Sequence, residues 1–179
     1  MRLFISRAAD ILLGGGVVTC PTDGVFGLSC MPDDADAIAR LLTIKQRDPG
    51  KGLILIAASK EALRDWIAIP PESIPDPVPE RPVSWIVAAA AGVSALVRGD
   101  HDGIAVRITS NPIARALCEA VDSPLISTSA NTAGAPVIEK PNVLRRKFGG
   151  SVDYIVPGEC GPATGPSEIR VLASGKQLR

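Results

Sequence analysis

The chain has 179 residues, 46% of them hydrophobic and 21% charged, a composition that argues against intrinsic disorder and is ordinary for a compact folded protein. Its 19 basic and 19 acidic residues cancel, so a contact with nucleic acid would need a local basic patch. The four cysteines form no Cys-x-x-Cys pair and the single histidine, His101, cannot complete a zinc set, which argues against a structural zinc site.

The N-terminal segment lacks the cleavage site of a signal peptide. The most apolar window, residues 85–97, is too short to span a bilayer. We therefore expect a cytoplasmic protein that makes no membrane contact, with its cysteines as buried thiols in a reducing compartment.

Helices and strands alternate along the sequence. In the first half, hydrophobic periodicity and capping residues predict helices over 7–13 and from Asp33 or Asp34 to about Lys45, a helix after the cap Ser59, and strands over 17–20, 25–28 and 53–57. In the second half they predict strands over 83–88, 104–108, 124–127, 154–156 and 169–172, and helices from Asn111 to about Val121 and over 142–148. This intermixed order without repeats predicts an α/β (mixed α+β) fold on a mixed, twisted sheet.

Residues 70–82 contain six prolines, a density that predicts no regular element. A domain linker and a surface loop both fit such a stretch. Because the two halves are short, we favour a long surface loop within a single domain covering residues 1–179.

Three cations, Lys45, Arg47 and Lys51, precede the apolar strand at 53–57. The negative end of a helix dipole accounts for Lys45 and Arg47 but not for Lys51. Lys51 lies between two glycines, whose missing side chains would let a ligand approach the backbone. A solvated face and a polyanion site both remain open for this segment.

Polar side chains cluster at the end of a strand in PLISTSANTAG, residues 124–134, where Ser127, Thr128, Ser129 and Asn131 fall within five residues. Such groups either fix a polar ligand or satisfy their own loop. Arg107, in the middle of the strand at 104–108, either extends along its stem to solvent or meets a carboxylate or phosphate as a fork.

Ser167 follows a Gly-Pro turn, a position typical of a cap or a strand entry. A terminal arginine such as Arg179 is usually a mobile surface charge. The sequence contains neither a P-loop nor a Gly-x-Gly-x-x-Gly turn, and His101 is expected at the surface. From the residues alone, the chain is an α/β domain with a site for a polyanion and a polar ligand, such as a nucleotide.

Five stretches, CPTDGVFGLSC, KQRDPGKGLILIAA, IAVRI, PLISTSANTAG and PSEIR, resemble in order and spacing the YrdC/TsaC family of threonylcarbamoyl-AMP synthases. The resemblance runs from about Ile11 to residue 179 and matches the short bacterial form. It implies a twisted mixed sheet flanked by helices, with a concave basic cleft. It also implies a reaction in which L-threonine, bicarbonate or CO2, and ATP with Mg²⁺ give threonylcarbamoyl-AMP and diphosphate.

The resemblance also implies roles for individual residues. Lys45, Arg47 and Lys51 would be catalytic, neutralising phosphate charge as the carbamate oxygen attacks. Arg47, Lys51, Asn131 and Arg179 would bind ATP, while Arg107, Ser129 and Ser167 would bind threonine. No protein metal ligand is implied, because the phosphates would carry most of the Mg²⁺ coordination.

The family also implies partners: tRNA threonylcarbamoyl-transfer proteins downstream, and a weak tRNA or RNA contact through the concave face. Two positions depart from the longer family members, which place a threonine where this chain has Gly24 and a histidine where it has Ile56. Two alternatives are an RNA-binding module for tRNA or ribosome maturation and a carbamoyl-adenylate former using carbamoyl phosphate. The low aromatic content argues against the first and the lack of room for extra segments against the second.

Overall fold

The computed structural model describes residues 2–132, 134–138 and 140–179, so Ala133 of the PLISTSANTAG stretch lies outside the described residues. Its helices are α1 (Arg2–Leu13), α2 (Ala35–Lys45), α3 (Ala95–Arg98), α4 (Pro112–Ala120) and α5 (Pro141–Phe148). Its strands are β1 (Val18–Pro21), β2 (Phe26–Cys30), β3 (Ile54–Ala57), β4 (Val83–Ala88), β5 (Gly103–Ile108), β6 (Leu125–Ser129), β7 (Tyr154–Ile155) and β8 (Glu168–Val171).

All eight strands join one sheet in the order β7-β1-β2-β6-β3-β5-β4-β8. The sheet is mixed: β1 with β7, β3 with β5, and β4 with β8 are parallel, and the remaining neighbours are antiparallel. The predicted mixed sheet flanked by helices is confirmed.

The two faces of the sheet bury separate apolar clusters. One cluster joins α2 and α5 to strand residues such as Leu55 and Val106. The other joins α1 and α4 to Val18 and Ile56. Because side chains alternate along a strand, neighbouring residues of β3 contribute to opposite clusters.

Side-chain caps define where the helices begin. Asp34 accepts a hydrogen bond from the backbone N–H of Ala37 at the start of α2. Asn111 accepts from two backbone N–H groups at the start of α4, where Pro112 occupies the first turn. These are the caps that the sequence predicts, since a short oxygen-bearing side chain satisfies N–H groups that have no partner inside the helix.

The structure differs from the predictions at three short segments. The helix expected after Ser59 is only a 3-10 turn at Glu61–Leu63, and the Pro-rich stretch contains a 3-10 turn at Pro71–Ser73, where no regular element was expected. Ile74 after that turn is fully buried, so part of the stretch packs on the core. Helix α3 was not predicted, because one turn is too short to show helical periodicity.

Among the described residues, none of the helices is both long enough and apolar enough to cross a membrane.

Candidate active site

A cleft of about 450 Å³ opens on the sheet face that α1 and α4 cover only in part. Its floor comes from alternate residues of neighbouring strands, including Ile54 of β3 and Ala105 of β5, which are register partners. The next residue on the same face of β3, Ile56, is fully buried in the cluster beneath the helices. The cleft therefore lies at the end of this sheet face, beyond the part that α1 and α4 cover.

Five cations line this cleft, and four of them form no ion pair with a carboxylate in the part of the chain that the structure describes. Its walls include Arg47, Lys51, Arg98, Arg107 and Arg179, and no Asp or Glu occurs among the described residues that line it. Burial, and then repulsion from Arg107 and Arg47, lowers the pKa of the Arg179 guanidinium below its ordinary value. A cluster of like charges without facing carboxylates is typical of a site for a polyanion.

Arg47 supports the turn that follows α2. Its guanidinium donates to the carbonyl oxygen of Gly52 from Nε at 3.2 Å and from Nη2 at 2.9 Å. Asp48 caps the same turn by accepting from the backbone N–H of Gly50 at 2.9 Å. These bonds hold the backbone that carries Lys51, whose side chain is exposed at the cleft wall.

The two glycines around Lys51 let another segment of the chain approach their backbone closely. A Cβ atom at Gly52 would lie 2.7 Å from the carbonyl oxygen of Arg98, and one at Gly50 would lie 2.4 Å from Oδ2 of Asp100. The close neighbours are thus the end of α3 and the segment that follows it. The approach of a ligand to this backbone stays a prediction, and Gly52 lines the cleft.

Lys45 lies behind the cleft wall, with only 4% of the residue exposed. Its ammonium donates to the carbonyl oxygens of Ser129 (2.6 Å) and Asn131 (3.0 Å), to Asn131 Oδ1 (2.9 Å) and to Ser129 Oγ (3.2 Å). Burial, and then repulsion from nearby cations with Arg47 first, lowers the pKa of Lys45 to about 8. Four oxygen acceptors oppose that lowering by stabilising the charged form.

Asn131 also faces away from the cleft, and its Nδ2 donates to the carbonyl oxygen of Ala135 at 2.6 Å. Ser129 Oγ donates to Asn131 Oδ1 at 2.7 Å and lines the cleft. Lys45 and Asn131 therefore fix the turn that presents Ser129 to the cleft.

Arg107 is buried and lies beside a carboxylate. Its Nε is 3.1 Å from Oδ2 of Asp23, although the N–H is not directed at that oxygen. Asp23 accepts hydrogen bonds from Ser110, through both its backbone N–H and its hydroxyl, and from Thr109 Oγ1. Of the two interpretations left open for Arg107, the structure favours the contact with a carboxylate, but this contact is a single Nε–Oδ2 approach and not a fork.

Ser167 and Arg179 meet at the far wall of the cleft. The guanidinium of Arg179 donates to the carbonyl oxygen of Ser167 from Nε at 3.2 Å and from Nη2 at 3.0 Å. The backbone N–H of Ile169 donates to the carbonyl oxygen of Arg179, so the final segment returns along β8. Ser167 Oγ lies 2.9 Å from Ser84 Oγ in a buried pair.

The two departures from the longer family members occupy different surroundings. A Cβ atom at Gly24 would lie 2.3 Å from the carbonyl oxygen of Gly165 and 3.1 Å from that of Ala163, so the 163–165 loop fills the space beside Gly24. Gly24 and Gly165 line the cleft, whereas Ile56 belongs to the core.

Six of the eight residues predicted for the site line one cleft: Arg47, Lys51, Arg107, Ser129, Ser167 and Arg179. The other two, Lys45 and Asn131, lie behind it. Sequence reasoning missed Asp23, Arg98 and His101. Only Asp23 left a signal, since a buried arginine needs a partner. His101 is exposed, as expected, but it also lines the cleft.

Within the described part of the chain, no three His, Cys, Asp or Glu side chains lie together as possible metal ligands.

Comparisons with known proteins identify relatives that match nearly the whole chain. Curated relatives from Nitrosococcus oceani (43% identical over 98% of this chain and 96% of the relative) and Xanthomonas euvesicatoria pv. vesicatoria (41% over 99% and 97%) are both named threonylcarbamoyl-AMP synthase. Sua5 of P. abyssi, solved in complex with L-threonine, is 27% identical with a TM-score of 0.87. That match covers 98% of this chain and 53% of Sua5, so this chain spans about half of the longer protein.

E. coli YciO, at 24% identity, has a TM-score of 0.83 over 100% of this chain and 89% of its own, which supports the fold. The Sua5/YciO/YrdC family model, described as telomere recombination, matches residues 10–179. This chain therefore belongs to the Sua5/YciO/YrdC family.

Proposed function

We propose that this protein is an L-threonylcarbamoyladenylate synthase, a nucleotidyltransferase that condenses L-threonine, bicarbonate or CO2, and ATP into threonylcarbamoyl-AMP and diphosphate. The observation that carries the proposal is the cleft, whose walls hold five cations and whose described lining residues include no acid. Support also comes from relatives of that name that match nearly the whole chain.

The triphosphate of ATP would lie against Arg47, Lys51 and Arg179. Negative charge builds on the phosphates as the α-phosphorus is attacked and diphosphate leaves. Fixed cations in a partly enclosed site stabilise that charge without having to reorganise. Mg²⁺ would enter with ATP and neutralise further phosphate charge, in keeping with a cleft that offers no carboxylate ligand among its described residues.

The carboxylate of threonine would bind Arg107. The guanidinium is buried beside Asp23, and its remaining donors match the two oxygens of a carboxylate. Ser129 and Ser167, on opposite sides of the cleft, would contact the remaining polar groups of threonine. Lys45 and Asn131 would position Ser129 rather than touch the substrate.

The bond changes need no nucleophile from the protein. The threonine amine attacks CO2, forming a C–N bond and releasing one proton to give a carbamate. One carbamate oxygen then attacks the α-phosphorus, and the bond from the α-phosphorus to the bridging oxygen breaks as diphosphate leaves. The contribution of the protein is to bring the reactants together and to stabilise charge.

The product carries an activated acyl group, which an amine can accept with loss of AMP. We propose that downstream transfer proteins place this group on the adenosine next to the anticodon of tRNA. We also propose that the protein works in the cytoplasm, where its buried thiols Cys20, Cys30 and Cys118 stay reduced.

The test is diphosphate release from ATP by the purified protein with Mg²⁺ and bicarbonate, with and without L-threonine. Serine and glycine serve as controls for the amino acid. We expect release that depends on threonine and falls at least tenfold in Arg47→Ala, because that variant removes a cation and the support of the Gly52 carbonyl.

No release with any amino acid, from a protein that still unfolds cooperatively, would contradict the proposal. RNA retention that weakens with salt and with Arg47→Ala would then assign the cleft to RNA binding instead.

A further inference from the structure

We propose that Arg98 binds the terminal phosphates of the nucleotide, next to Lys51. The inference rests on the proposed function, because it extends the ATP site to a segment that the sequence left unassigned. Arg98 ends α3, and its side chain lines the cleft.

The position of Arg98 is fixed by the turn that carries Lys51. The backbone N–H of Leu53 donates to the carbonyl oxygen of Val97 at 2.8 Å, and that of Asp100 donates to the carbonyl oxygen of Gly50 at 3.0 Å. Two such bonds, one on each side of Arg98, dock the end of α3 against the 49–53 segment.

Glycines make this docking possible. Gly52 and Gly99 have φ values of 62° and 66°, which favour glycine, and a Cβ at Gly99 would lie 2.4 Å from the carbonyl oxygen of Gly50. The backbones therefore meet without side chains between them. Arg98 is held beside Lys51 by backbone geometry rather than by an acidic partner.

Most of the donor capacity of Arg98 is unused. Its Nη1 donates to the carbonyl oxygen of His101 at 2.7 Å, and it forms no ion pair with a carboxylate in the part of the chain that the structure describes. The nearby acids, Asp48 and Asp100, flank Gly50 and do not line the cleft. A guanidinium has five N–H donors, so several remain for phosphate oxygens.

The surroundings favour a nucleotide polyphosphate over an RNA strand. The cations line a cleft of about 450 Å³ whose floor includes the apolar residues Ile54, Ile86 and Ala105. A concave site with an apolar floor and a charged wall fits one nucleotide, with its base on the floor and its phosphates at the wall. Arg107 is paired with Asp23 in the interior of the same cleft, so Arg98 joins the cations that remain for the phosphates.

The test measures binding rather than turnover. Dissociation constants of tripolyphosphate, ATP and AMP are compared for the wild-type protein, Arg98→Gln and Arg98→Lys by calorimetry. Glutamine keeps an N–H donor but removes the charge. Arg115→Gln is the matched control, because Arg115 pairs with Glu119 on the surface of α4 and does not line the cleft.

We expect Arg98→Gln to weaken tripolyphosphate and ATP binding about tenfold while AMP binds as it does to the wild type, because a charge-assisted hydrogen bond is lost. Arg98→Lys should recover part of the affinity. If Arg98→Gln does not fold, Arg98→Lys is compared alone, and a severalfold loss of tripolyphosphate affinity is expected from replacing a fork by a single ammonium.

If each of the three ligands binds the folded Arg98 variants as tightly as it binds the wild-type protein, the inference is overturned. A single-stranded RNA oligonucleotide is titrated in the same way. If the Arg98 variants lose affinity for this RNA alone, the inference is also overturned and Arg98 is assigned to RNA binding. Failure of the proposed function is distinguishable, because it would appear as absent threonine-dependent diphosphate release in the wild type, whatever the binding data show.

Discussion

Arg107 Nε and Asp23 Oδ2 lie 3.1 Å apart in a buried ion pair, with 9% and 2% of the two side chains exposed. Both charges come from segments that border the cleft. Asp23 is tied to the β5–α4 connection through Thr109, Ser110 and the backbone N–H of Asn111. Asp23 therefore lies between Arg107 and that connection and contacts both.

The first prediction concerns this pair. Asp23→Asn should lower the free energy of unfolding by about 3 kcal/mol, because removing one partner leaves the other charge buried without compensation. The measurement is chemical denaturation at neutral pH. Glu119→Gln, which breaks the exposed pair with Arg115, is the control and should cost less than about 1 kcal/mol. Equal losses in the two variants would show that the buried pair does not stabilise the fold.

The second prediction uses the pKa of Lys45, which burial lowers to about 8. A bound polyanion favours the protonated form, so ATP affinity should be full below pH 8 and should weaken as the pH rises through that value. Calorimetric dissociation constants between pH 7 and pH 9.5 would show the inflection. In Lys45→Met the inflection should vanish.

Stability should change in the opposite direction over this range. Between about pH 8 and the ordinary lysine pKa, the unfolded chain binds more protons than the folded one, so the free energy of unfolding of the ATP-free protein should rise with pH. A slope that persists unchanged in Lys45→Met would assign the titration to another group.

The third prediction tests the loop beside Gly24. Gly24→Ala places a methyl group where the Gly165 carbonyl lies, so the 163–165 loop must move. We expect the KM for threonine to rise about tenfold with a smaller change for ATP, because this loop leads directly into Ser167. Gly150→Ala is the control, since nothing lies within 4 Å of a Cβ there. An unchanged threonine KM in Gly24→Ala would remove this loop from the threonine pocket.

The fourth prediction concerns Arg179. Arg179→Gln removes a cation from the cleft and weakens two hydrogen bonds to the Ser167 carbonyl. ATP affinity should fall about tenfold. Lys176 lies on the same exposed segment but does not line the cleft. The control variant Lys176→Gln should therefore bind ATP as the wild type does. If both variants lose affinity alike, the effect comes from net charge and not from the position of Arg179.

The main elements could be predicted because local chemistry specifies them. Strand β3 is a continuous apolar run, and Asn111 with Pro112 predicts the start of α4. The 3-10 turn after Ser59 and helix α3 could not, because a single turn has no periodicity and depends on packing for its stability.

Within the site, the types of residue were easier to predict than the directions in which their side chains point. The cations near Lys51 indicated a polyanion, but nothing local shows that Lys45 turns inward to four oxygen acceptors while Arg47 lies at the cleft. Arg98 gave no signal at all, because its place depends on a backbone contact between segments that are distant along the chain.

The different surroundings of two residues on one face of β3 have a practical consequence for engineering. Ile54 forms part of the cleft floor, while Ile56, two residues on and on the same face, is sealed beneath α1 and α4. Substitutions at Ile54 and at its partner Ala105 would therefore reshape the floor on which the nucleotide base is proposed to lie. Because Ile54 also packs against the core cluster, a library at these positions would explore altered nucleotide preference most safely with apolar residues of similar volume.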